Sequence, residues 1–139
     1  MNLSASLFVM KVYVAGKFQK KDLVREVYRR IKDLGYEVAY DWTTHDPIKP
    51  YAQNAQLAAQ YAQNELEGIA DSDVFIYLSD QRGTTLPMEF GAALMRAKTH
   101  ADVLVYAVGE FNDKSPWFFN ELVVRKDSVD EVIEELSEL

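Results

Sequence analysis

The spacing of apolar residues changes several times along the chain, and each change marks an element. Leu7 to Val14 is rich in β-formers and runs up to Gly16, which predicts a strand followed by a turn. From Lys20 to Leu34 the apolar positions are Leu23, Val24, Val27, Tyr28, Ile31 and Leu34. That is the spacing of one helix face, and Gly35 is placed to end the helix. Glu37 to Trp42 reads as a second strand, and Thr43 to Pro50 as a loop with two prolines. Tyr51 to Ala70 is alanine-rich, with no Gly or Pro before Gly68, and predicts a long helix. Asp73 to Leu78 is nearly all apolar, the mark of a strand covered on both faces. A turn-rich loop follows to Thr85, and Pro87 to Lys98 predicts a helix with proline tolerated in its first turn. Asp102 to Val108 is a fourth strand, Glu110 to Asn120 an irregular loop, and Leu122 to Arg125 a short fifth strand. Ser128 to Leu139 closes the chain as a helix with Ser128 as its N-cap.

Strands and helices alternate, which predicts an α/β fold: an open, parallel, five-stranded sheet of flavodoxin-like or Rossmann-like type, with helices on both faces. The length of 139 residues fits one domain over 1–139. Met10 is a natural opening for the first strand, so residues 1–9 read either as an N-terminal extension or as the mark of an upstream start codon. Ligands of such sheets bind beyond the carboxyl ends of the strands, at the loops after Val14, Tyr40, Leu78 and Val108.

Composition narrows the function classes. The net charge is −7, and much of the excess lies between Asp127 and Leu139. A nucleic-acid footprint needs a basic face, so none is expected. There are no cysteines, which excludes disulfides, thiolate metal sites and cysteine nucleophiles and fits a reducing compartment. No apolar run approaches the roughly 20 residues needed to span a bilayer, and the start lacks a basic n-region. A soluble cytoplasmic protein is the expectation.

The loops carry the candidate chemistry. Gly16-Lys17-Phe18-Gln19 has one glycine, not the three of a dinucleotide fingerprint. It is either a tight turn or a backbone cradle with Lys17 facing an anion. In Asp41-Trp42-Thr43-Thr44-His45-Asp46, Trp42 can stack on a ring and His45 can titrate or hydrogen-bond. A His between carboxylates also serves simply to shape a loop. His100 is too distant to form a metal pair with it, and no metal is expected. In the Tyr51 helix, Tyr51, Ala55, Ala58, Ala62 and Ile69 share a stripe, and Glu65 falls roughly 50° from its centre. Glu65 is either an edge residue reaching water or a second active-site carboxylate. The loop with Asp80, Arg82, Gly83, Thr84 and Thr85 offers positive φ, hydroxyls and backbone N–H groups to a ligand. Glu89 follows in the first helical turn, where the dipole favours its ionised form. Such a carboxylate can attack a sugar C1, or it is simply a favourable helix residue. Gly91 weakens the helix, which suggests close packing there.

Several short motifs in order resemble the nucleoside 2-deoxyribosyltransferase-like superfamily, which includes deoxynucleoside 5′-monophosphate N-glycosidases. They are Val12-Tyr13-Val14-Ala15-Gly16, Asn64-Glu65-Leu66-Glu67-Gly68-Ile69, Asp73-Val74-Phe75-Ile76, Arg82-Gly83-Thr84 and Glu89-Phe90-Gly91-Ala92-Ala93. Tyr40-Asp41-Trp42-Thr43-Thr44-His45 is similar to a compact bacterial and archaeal subgroup. The resemblance runs from about Met10 to the end.

The resemblance implies a retaining N-glycosidic-bond enzyme without metal or organic cofactor, acting on a nucleoside or nucleotide. Glu89 would be the nucleophile, Tyr13 would orient it, and Glu65 would contact the sugar and protonate the base. Gly16, Lys17, Trp42, His45, Asp80, Gly83, Thr84, Thr85, Ser115 and Asn120 would line the substrate. Among these, Lys17, Gly83, Thr84 and Ser115 correspond to the phosphate region. Dimers or larger homo-oligomers are implied, with Tyr61, Trp117 and Phe118 at the interface. Two departures stand out: Glu65 replaces the family's Asp, and Leu86-Pro87 are extra before Glu89. They leave open a catalytically inactive nucleotide-binding module as the alternative. An NAD-cleaving enzyme of the TIR type is the weaker rival, because its signatures are missing.

Overall fold

A computed structural model describes residues 9–139; residues 1–8, most of the expected extension, lie outside the described residues. The strands are β1 (Lys11–Ala15), β2 (Glu37–Val38), β3 (Val74–Leu78), β4 (Leu104–Val108) and β5 (Val123–Lys126). All pair in parallel, in the order β2-β1-β3-β4-β5. The helices are α1 (Lys21–Asp33), α2 (Ala55–Ala70), α3 (Thr85–Thr99) and α4 (Val129–Ser137). α1 packs with α4, and α2 with α3. Right-handed crossovers place the two pairs on opposite faces of the sheet. The expected flavodoxin-like α/β fold is the one observed. Its strand order reverses between β1 and β3, which is where ligands of this architecture bind.

Local chemistry explains most boundaries. α1 buries Val24, Val27, Tyr28 and Ile31, as its spacing predicts. Gly35 takes φ +92°, its N–H donates to Lys32 O and the next N–H, of Tyr36, donates to Ile31 O. That pair of bonds is a Schellman end, which strongly favours glycine. Every residue of β3 is buried. Ser128 accepts from Glu131 N and caps α4.

Three expectations are corrected. The second strand stops at Val38 instead of Trp42. The hydroxyl of Tyr28 inserts where the next rung would be, accepting from Val14 N at 3.0 Å and donating to Tyr40 O at 3.0 Å. Trp42 Nε1 then donates to Val14 O at 2.7 Å. The two side chains hold the strands apart and turn Trp42–Thr44 into a 3-10 segment. The long helix divides into a 3-10 turn, Tyr51–Asn54, and α2. The buried residues of α2 are Gly68 and Ile69, with Ala58, Tyr61, Asn64 and Glu65 half-buried and Ala55 and Ala62 exposed. Its last two turns, and not its first, lie on the sheet. Glu65 therefore sits within the inward line rather than at its edge. Finally, α3 begins at Thr85, two residues early, because Pro87 falls among the first N–H groups, which have no helical partner to lose.

Replacing Tyr28 with Phe tests the wedge. It leaves a buried Val14 N–H without a partner, which costs about 1–3 kcal/mol. Urea unfolding of Tyr28→Phe is expected to show a lower midpoint with an unchanged slope.

Candidate active site

Tyr13 lies in the middle of β1 with no exposed surface, its ring stacked on Phe75 of β3 at 5.7 Å. α2 crosses directly over it. A Cβ on Gly68 would stand 3.2 Å from the Tyr13 ring and 2.6 Å from Tyr40 Cβ. Only the missing side chain lets the helix approach this closely. One turn earlier on the same helix, Glu65 is thereby brought over Tyr13.

Glu89 reaches the same place from α3. It is the fifth residue of that helix rather than part of its first turn, and it does not gain the stabilised negative charge expected there. Burial instead pushes its carboxyl up to about 8, and the charge of Glu65 adds to the rise. Desolvation penalises the ion more than the dipole rewards it. Burial also raises Glu65. The Tyr13 hydroxyl is held protonated by burial and by the charges of Glu89 and Glu65. Tyr13 Oη and Glu89 Oε2 are both buried and neither has a hydrogen-bond partner. They are near enough to shift each other's titration without forming an aligned bond. The two carboxyl groups and the phenol therefore behave as one coupled unit.

A second cluster supports Glu65. His45 Nδ1 lies 3.6 Å from Glu65 Oε1, and the two side chains are 8% and 21% exposed. The imidazole stacks face to face on Tyr61 at 3.7 Å, and its Nε2 is 2.6 Å from Tyr40 Oη. Burial lowers the His45 pKa, against the opposing pull of Asp41 and Asp46. The loop is anchored from below, where Arg25 donates to Thr43 Oγ1 and Thr43 O.

At the reversal point, Lys17 and Lys20 flank Asp80 at 3.6 and 3.1 Å. Burial alone would raise Asp80, but the Lys20 contact, the Arg82 N–H and both lysine charges hold its carboxyl below the usual range. Two cations against one half-buried anion leave a local positive excess. Gly16 serves packing: a Cβ there would meet Val24 Cγ2 at 2.8 Å. Trp42 is buried and occupied with Val14 O, so it has no free face for a ligand ring. Gly83 takes φ +146°, and Thr84 and Thr85 open α3 in an exposed loop, with no side-chain cap from Thr84.

Within the chain Ser115 and Asn120 lie apart from Tyr13, Glu65 and Glu89, but Ser115 shares a cavity with Asp80. Ser115 accepts from Trp117 N and Asn120 from Leu122 N. They line two cavities, of about 340 and 520 Å³, and none of Tyr13, Glu65 and Glu89 lines either. Phe118 is buried against Tyr77 and Phe90 rather than free for an interface, whereas Trp117 is exposed. The ring of Trp117 is 3.8 Å from the Cβ position of Gly91, an ordinary contact, so Gly91 has room for a methyl group. Lys20, Tyr40, Tyr61 and Gly68 were missed as site residues. Lys20 has a weak signal in its spacing from Lys17, and Gly68 in standing one turn after Glu65. The roles of Tyr40 and Tyr61 depend on how a loop folds over a helix.

No family model matches the sequence, and no curated protein matches it. Among solved structures the fold is similar to that of Clostridium botulinum CMP N-glycosidase, BcmB, at a TM-score of 0.60 and 15% sequence identity. The match covers 93% of this chain and 99% of that one. It agrees with the fold that the sequence resemblance implied. Among the described residues no group of three or more His, Cys, Asp or Glu could hold a metal ion, and no helix is long and apolar enough to cross a membrane.

Two substitutions test this geometry. Gly68→Ala gains about 1 kcal/mol of helix propensity but forces an overlap worth about 1–3 kcal/mol. The overlapping atom is a Cβ, which cannot swing away, so a lower melting temperature is expected. Glu89→Gln acts through pH. The folded carboxyl holds its proton to about 8 against an ordinary value of 4.5. The native state thus binds more protons than the unfolded chain, and its stability falls from about pH 4.5 to 8 and then levels. A shift of this size is about 5 kcal/mol at most. Glu89→Gln is expected to be more stable than wild type above pH 8, with the difference vanishing near pH 4 in thermal melts.

Proposed function

We propose that the chain cleaves the N-glycosidic bond of a nucleoside 5′-monophosphate through a covalent glycosyl intermediate on Glu89. The observation that carries this reading is the coupled burial of Glu89 and Glu65 beside the unpartnered Tyr13 hydroxyl. Two carboxyl groups on one sugar are what a retaining glycosidase needs. The local positive excess of Lys17 and Lys20 suits a phosphate, and the fold neighbour is named as a CMP N-glycosidase.

The steps follow from the protonation of the pair. Near neutral pH the two carboxyl groups share one proton. In the free protein burial favours that proton on Glu89. On binding of the nucleotide the proton passes to Glu65, and the Tyr13 hydroxyl, whose hydrogen bond favours the ionised form, turns onto the Glu89 carboxylate. Ionised Glu89 then attacks C1′, the C1′–base bond breaks, and Glu65 gives its proton to the departing base. Water next attacks C1′, Glu65 takes a proton from it, and Glu89 leaves as carboxylate. A desolvated carboxylate is a stronger nucleophile than a hydrated one, which makes use of the burial that costs stability. Lys17 and Lys20 draw the phosphate to the reversal point, and exposed charges of this kind act less at high salt.

Purified protein incubated with ribo- and deoxyribonucleoside monophosphates is expected to release free base, read by chromatography. Glu65→Gln is expected to lose 10²- to 10⁴-fold in kcat, the range of general acid catalysis. Lys17→Ala with Lys20→Ala is expected chiefly to raise KM. The rate should fall on the alkaline side at about pH 8, where the pair loses its last proton. No base release across the panel, with Glu89→Ala indistinguishable from wild type, would sink the proposal. Saturable nucleotide binding by calorimetry without release would instead identify a binding module.

A further inference from the structure

Glu65 needs more than a raised proton affinity to act as an acid. A carboxyl group has two oxygens, and only the one facing the base is useful as a donor. The cluster around His45 contains a device that selects it.

The chain of contacts has a direction. Gln60 Nε2 donates to Asn64 Oδ1 at 2.9 Å, which leaves the Asn64 amide nitrogen to donate to Tyr40 Oη at 3.4 Å. Tyr40 Oη thus receives one hydrogen and has one of its own to give. The acceptor in reach is His45 Nε2 at 2.6 Å. A neutral imidazole that accepts at Nε2 carries its hydrogen on Nδ1. Nδ1 lies 3.6 Å from Glu65 Oε1. The ring cannot turn away easily, because Tyr61 stacks on its face and Tyr61 Oη is itself held by Asp46 N at 3.0 Å.

We propose that Asn64, Tyr40 and His45 form a directional relay that presents an N–H to Glu65 Oε1 and so keeps the acidic proton of Glu65 on Oε2. His45 and Tyr40 are then positioning residues, acting on the substrate only through Glu65. The relay deepens the glycosidase reading and its catalytic part rests on it. Its 3.6 Å separation is longer than a hydrogen bond and shortens when substrate orders the site, as apo catalytic contacts commonly do. The relay also suits the longer side chain of Glu65. An added methylene gives the carboxyl more freedom, and a fixed donor on one oxygen removes it.

The test has two arms. Two-bond ¹H–¹⁵N spectra of the whole protein near neutral pH report the tautomer of each imidazole. His100→Gln identifies the signals of the other histidine. Wild-type His45 is expected as the Nδ1–H tautomer, and Tyr40→Phe is expected to shift it toward a mixture. The kinetic arm compares a nucleotide whose base must be protonated to leave with its 7-methylguanine counterpart, whose base leaves without a proton. Tyr40→Phe is expected to lower kcat roughly 10- to 100-fold for the first, part of what a general acid contributes, with KM unchanged and the second little affected. An Nε2–H ring in the wild type overturns the relay. So does a Tyr40→Phe variant that slows both substrates equally, which is the mark of a structural role alone. If the wild type releases no base from any nucleotide, the glycosidase reading fails, and the tautomer alone decides the relay.

Discussion

The site depends on how closely α2 lies against β1. A single absent side chain at Gly68 sets that distance, because any Cβ would collide with Tyr40 and press on the Tyr13 ring. The approach has two effects. It places Glu65 over a fully buried phenol, and it shields Glu89 and, less completely, Glu65 from water. A second spacing works alongside it on the other edge of β1. Tyr28 and Trp42 occupy the hydrogen-bonding groups of Val14 that β2 would otherwise take. The chain from Tyr40 to His45 is thereby released from the sheet and folds over the end of β1, where it meets α2. Helix approach and strand separation converge on the same few side chains.

The electrostatics follow from this enclosure. Two carboxyl groups in one desolvated space cannot both ionise at low cost, so the pair retains a proton well above the ordinary range. That condition works against stability and is ready-made for proton transfer. The cationic group at the reversal point is arranged differently. Lys17 and Lys20 remain partly in water and are held by a single half-buried anion, Asp80. One region is therefore suited to bond breaking and the other to recruiting an anion. They are joined by β1, which carries Tyr13 and runs into the turn holding Lys17.

Much of the fold was legible in the chain. β3 announced itself as an unbroken apolar run, α1 as a spaced stripe closed by Gly35, and α4 by its Ser128 cap. The alternation of elements implied the parallel sheet, because parallel strands require crossovers. Glu89, Glu65 and Tyr13 were picked out as a group by resemblance, and the structure brings them together. The start of α3 is a local matter of Pro87 in its first turn, whereas the two larger misses share one cause. β2 ends early through a hydroxyl donated from a distant helix position, and the inward face of α2 depends on which of its turns rests on the sheet. Neither is a property of the local sequence.

From residue order alone, this protein's elements, their alternation and the residue types able to do chemistry were determined, because periodicity and turn chemistry act over a few neighbours. The protonation state of Glu89 was decided only by tertiary structure. Local reasoning placed it in a helix dipole that favours the ion, whereas enclosure by α2 and Tyr13 favours the acid, and desolvation is the larger effect. The same holds for Tyr40 and Tyr61, unremarkable aromatics in the chain that become the walls of a histidine site once a loop lies across a helix.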